Sequence, residues 1–213
     1  MLTEQEIEYF NQLEEESKKN PLAKVFAASE YVSRTLKQAF TTPKGVVGNE
    51  WCRALATYTG VAVATTAKEK SILTKLETKG GTFWVGEGIN HYLYGSSVSV
   101  WELVMFIYKQ KHKEGKDIDL HKMIEKTTNN IGDPDARVWD GTSNPYENIQ
   151  FAKESYSKIK NKLEPYKLND IDYPCLFAIS LGNAILEVEN IFPPNINCLE
   201  IALETVMFYS HMD

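Results

Sequence analysis

The fourteen residues from Ala54 to Ala67 carry no charge and little bulk, and they set the tightest limit on what this chain can fold into. Ala54, Ala56, Thr57, Thr59, Gly60, Ala62 and Ala64 let a neighbouring helix approach closely. Gly60 and the β-branched Thr and Val residues lower intrinsic helix propensity, so packing must hold a helix here. The stretch falls short of the roughly 18 residues a bilayer span needs, and four of its residues are Thr. A long packed helix from about Asn49 to Leu76 is expected, with no membrane insertion.

Helix signals dominate the rest. Thr3 followed by Glu6 is a capping box, and Asn20-Pro21 stops the helix it opens, a surface or arm helix over 1–20. Leu22, Val25, Phe26, Ser29, Val32, Leu36, Ala39 and Phe40 recur at the spacing of one helix face. The apolar run Val100–Tyr108 leaves few faces for water and reads as a central helix, with a buried strand as the competing assignment. Asp117 is placed to cap a short helix carrying Leu120, Met123 and Ile124, and Gly132 to Asn144 reads as a loop. Asn144-Pro145 with Glu147 opens another helix, with Ile149, Ala152, Tyr156, Ile159 and Leu163 inward. Residues 170–213 read as a helical hairpin turned at Pro193-Pro194-Asn195. The expected fold is mainly α: a single-domain helical bundle, 1–213, of about seven or eight helices.

One segment breaks the helical pattern. Residues 78–99 hold five Gly, and Thr82–Val85 and His91–Tyr94 are aromatic and β-favouring. A small β-hairpin near 82–94 fits this, and so does an irregular loop with one helical turn. Seven aromatics fall within 83–108, more than twice the average density of the chain. Aromatic rings offer large contact areas with few rotors to freeze. Phe83, Trp84, Tyr92, Tyr94 and Trp101 are therefore candidate partner-binding residues. The competing reading is that these rings fill a core which small-residue helices leave underfilled. Trp139, in a turn-rich loop, is either a plug tucked into the body or an exposed anchor.

Charge narrows the partners. The net charge is −6, with acids concentrated at both chain ends: six against two bases in 1–20, and eight against one in 164–213. Phosphate contacts need dense Lys and Arg, so nucleic acid is disfavoured. The run Lys109-Gln110-Lys111-His112-Lys113 fits the cation-rich last turn of a helix. The N-terminus has neither a basic start nor an apolar run, so no secretory signal is expected. Three scattered Cys without a CxxC fit reduced thiols, and the expected location is cytoplasmic.

Motifs that carry chemistry are sparse. There are four His, no HExxH and no Cys pair at ligand spacing, so no metal and no cofactor is expected. Asp133 and Asp135 begin like a calcium loop, but Arg137 stands where a third oxygen ligand belongs. Gly86-Glu87-Gly88 holds half of a dinucleotide fingerprint, and its glutamate would repel phosphate. Glu87 with His91, and His121 with Glu125, lie four apart and could pair as acid and base on a helix, or form surface ion pairs. The expected function is a non-catalytic interaction module: an adaptor, accessory subunit or chaperone-like binder. It would grip a basic or amphipathic helical segment of a protein partner through the aromatic, Gly-rich region. The alternatives are a small-molecule-binding protein or enzyme with a pocket around Trp84, His91 and Trp101, and a homodimer joined through the same rings.

Overall fold

In the computed structural model the Thr3 hydroxyl accepts from the Glu6 amide at 3.2 Å, and the Glu6 carboxylate accepts from the Thr3 amide at 2.7 Å. This reciprocal cap starts α1 (Glu4–Ser17). The structure describes residues 3–112, 118–139, 141, 143–193 and 196–213. Among them are nine α-helices, two 3-10 turns and two small antiparallel hairpins, so the fold is mainly α. α1 docks on α2 (Ala23–Ala39): Glu14 accepts from Lys24 at 2.8 Å, and Phe10 sits edge-on to Tyr166 of the 3-10 turn Glu164–Tyr166.

Val25, Ala28, Val32 and Leu36 form the buried face of α2. Leu22 and Phe26, read in the sequence as part of the same inner stripe, stay exposed instead. They lie at its edge, beyond what one neighbouring helix covers.

A two-residue hairpin, β1 (Thr41–Thr42) with β2 (Gly45–Val46), turns the chain into α3 (Gly48–Lys70). α3 is buried along most of its length, as its small residues require. It lies between α8 (Asp172–Val188) and α9 (Cys198–His211). A Cβ at Gly60 would stand 2.6 Å from the Val206 carbonyl oxygen, so only glycine admits α9 at this distance. α3 runs antiparallel to α8, with Thr66 donating to the Asp170 carbonyl at one end and Gly48 against Val188 at the other. It runs parallel to α9, with Gly60 beside Val206 and Lys68 paired to Asp213 at 2.6 Å. The two C-terminal helices therefore pack on α3 more than on each other.

α3 ends at Lys70, short of the expected Leu76. The chain continues as β3 (Thr74–Thr78), paired with β4 (Gly81–Val85) so that Thr74 faces Val85. A small hairpin thus forms and contains 82–85, but its second strand lies upstream. Residues 87–93, the other half of the expected hairpin, are instead a short helix, α4 (Glu87–Leu93). α5 (Val100–Lys111) is capped by Ser99 and lies on α8 at the periphery, with Glu102 and Phe106 exposed. Lys111 closes its last turn by donating to the Leu186 carbonyl at 3.0 Å. α6 (Leu120–Asn130) is capped by Asp119, while Asp117, the expected cap, lies outside the described residues. α7 (Pro145–Lys162) opens with Asn144 as expected. No helix among the described residues is long and apolar enough to cross a membrane.

Candidate functional site

Side chains alternate across a strand, and that alternation decides the fate of the first two candidate rings. Phe83 faces inward and is fully buried. It meets Tyr146 and Phe208 edge-on at 6.0 and 6.1 Å, in a small second core closed by Met212. Trp84 faces the other way, half-buried, with the Lys68 ammonium 5.0 Å over its ring. Tyr92, Tyr94 and Trp101 are also half-buried against the main core. Trp139 is tucked in, edge-on to Phe192 at 6.0 Å, with its backbone in the left-handed region at φ 56°. Phe83 and Trp139 thus serve the interior and present no free surface. Of the seven rings between 83 and 108, Phe106 alone stands in water, 64% exposed.

Glu87 and His91 are exposed on the outer side of α4, where His91 lies edge-on to Tyr92. His121 and Glu125 are exposed as well. The cavity that forms on this segment, about 230 Å³, does not have Trp84, His91 or Trp101 in its lining. It is walled by Asn90, Tyr94 and Thr127 with His211 from α9, a residue that sequence reasoning passed over. The Trp84 carbonyl lies 2.8 Å from His211 Nδ1, and a carbonyl only accepts. Nδ1 therefore carries the hydrogen, and Nε2 keeps its lone pair. Burial lowers the His211 pKa, so the ring is held neutral.

Phe106 belongs to a larger apolar face. α8 has α2 on one side and α5 on the other, and both run parallel to it. Ser180 donates to the Ser29 carbonyl at 2.8 Å, and Lys37 pairs with Glu187 one step further along. On the other flank the Cys175 thiol meets the Val98 carbonyl at 3.5 Å, and Ile107 packs on Gly182. At about 100° per residue, Leu22 and Phe26 fall on the outward side of the Ser29 contact line, away from Val25 and Val32. Leu103 and Phe106 fall on the outward side of Ile107. Between them α8 presents the exposed Asn183 and the half-buried Cys175, while Ile179 is buried, 6% exposed. Phe26 is 51% exposed and Val98 52%.

Phe26 and Phe106 stand two helix spacings apart, roughly 16–20 Å, with Ile179 at nearly their level on the helix between. Burial pushes the Cys175 thiol up to about 11, so it acts here as an apolar group rather than a nucleophile. Glu30 follows Phe26 by one turn, and Glu102 precedes Phe106 by one turn. Both are exposed, and neither is ion-paired among the described residues.

Comparison with known proteins leaves this geometry to stand by itself: no family model, no curated protein and no solved structure matches the chain.

Proposed function

We propose that the chain is a non-catalytic interaction module that docks an amphipathic, basic helix of a partner protein on the face formed by α2, α8 and α5. The observation that supports it is the placement of the exposed Phe26 and Phe106 on either side of α8, each accompanied by a glutamate that is not ion-paired among the described residues. An α-helix with side chains is about 10–12 Å across, and the gap between the two rings suits one such helix lying along α8. Its apolar stripe would meet the two rings, and Lys or Arg on its flanks would meet Glu30 and Glu102. The aromatic surface expected near 83–101 therefore moves to a ring of the same cluster and a second ring from α2. A second copy of this chain is a poorer occupant, because it would bring the same two carboxylates to the same contact.

The experiment is a titration with two fluorescein-labelled model helices of 18 residues, one Leu/Lys and one Leu/Glu, followed by anisotropy. The Leu/Lys helix is expected to bind saturably and the Leu/Glu helix not to bind. Equal binding of both, or of neither, contradicts the proposal.

A further inference from the structure

A second concavity lies away from this face, where the C-terminal end of α2 meets α3, α7 and the end of α9. Its volume is about 330 Å³, roughly eleven water volumes at about 30 Å³ each, which is room for a body of around ten heavy atoms. Its two ends differ in chemistry. Leu36, Phe40, Ala54 and Ala152 make apolar walls, and the two alanines leave the hollow. Phe151 stands at the mouth, a large ring 68% exposed. The opposite end gathers donors. Arg53 spends one guanidinium nitrogen on Glu50 and keeps the others. Burial pushes the Tyr209 phenol up to about 12, against the opposing pull of the Ser143 and Thr57 hydroxyls that hydrogen-bond to it and of the nearby Arg53 cation. Thr59 and Thr65 bond back to the carbonyls of Leu55 and Val61, whereas Thr57 donates to no backbone carbonyl among the described residues.

We infer that this cavity binds a small monocarboxylate with an aromatic or branched aliphatic body. The head group must be an acceptor, because the guanidinium of Arg53, which can only donate, stands at that end of the cavity. It should carry a single charge, because Arg53 is the sole cation in the lining among the described residues and Glu50 stands beside it to oppose a dianion. The apolar body fills the space between Phe40, Ala54 and Ala152, and Phe151 closes over it.

The test is calorimetric titration of phenylacetate, phenylacetamide and phenyl phosphate into the full chain at pH 7. Phenylacetate should bind at least tenfold more tightly than either neutral or doubly charged analogue. Arg53→Gln should weaken it at least tenfold. Ala152→Leu, which fills the hollow with an apolar group, should abolish it, with circular dichroism showing both variants folded. No heat from phenylacetate at millimolar concentration, binding of the amide equal to that of the acid, or full binding by folded Ala152→Leu would each overturn the inference.

Discussion

The Ser180 hydroxyl, fully buried, lies 2.8 Å from the carbonyl oxygen of Ser29 and 3.0 Å from that of Leu176 in its own helix. One hydroxyl hydrogen serves both, and the longer-range contact fixes α2 against α8 near the level of the exposed Phe26. Ser180→Ala removes this tie without adding bulk. A net hydrogen bond contributes about 0.5–1.5 kcal/mol, so the unfolding free energy from urea melts should fall by that much, with a lower midpoint and an unchanged slope.

Gly60→Ala sets two effects against each other. Helix propensity favours alanine by about 1 kcal/mol. Against it, the new methyl would stand 2.6 Å from the Val206 carbonyl oxygen and 3.1 Å from the Ser210 amide nitrogen, so α9 must shift as a body. Overpacking of a core typically costs about 1–3 kcal/mol, and backbone atoms cannot rotate away. The variant should therefore be destabilised in thermal melts. A raised Tm would mean that α3 and α9 are not in close contact.

Those two contacts differ in how far the sequence foretells them. The small residues around Gly60 announce a close helix neighbour, and the Thr3–Glu6 and Asn144-Pro145 caps announce where helices begin. β3 is silent because all five of its residues are exposed, so Thr74–Thr78 carries no burial alternation, and its first three residues read as the tail of α3. α4 is hidden by Gly86 and Gly88. The outward face has a signal, but of a subtler kind. Leu22 and Phe26 widen the apolar stripe of α2 past what one neighbour can bury, and the run Val100–Tyr108 does the same for α5. Such excess marks apolar surface left over once the core is full. Which side it leaves open depends on α8 arriving between the two helices, a long-range placement that periodicity does not encode.

His211 makes stability depend on pH. Burial lowers its folded-state pKa from 6.5, so the unfolded chain binds a proton more readily than the native one. Stability is fully present above about pH 6.5 and falls as pH drops from there towards the folded value. Urea melts at pH 7.5 and 5.5 should show this loss, and His211→Gln should flatten it across the same interval. An identical pH dependence in the variant would show that the imidazole is not held neutral. Direct titration of the His211 ring by NMR gives the same answer independently.

Phe26→Asp and Phe106→Asp should each leave the melting temperature nearly unchanged. Both rings are more than half exposed, and surface substitutions of this kind are usually within about 0.5 kcal/mol. A large loss of stability in either would mean that the ring supports the fold rather than a partner.

The same two variants give the most direct test of the docking face, because each adds a negative charge. If a cationic helix bound through net charge alone, Phe26→Asp and Phe106→Asp would bind it more tightly. The opposite is expected. A Leu/Lys helix should bind the unaltered chain with a Kd on the order of 10 μM, and each variant should weaken it at least tenfold, since an apolar ring worth about 1.5–3 kcal/mol on burial is lost. Affinity unchanged or increased in both variants would contradict the account.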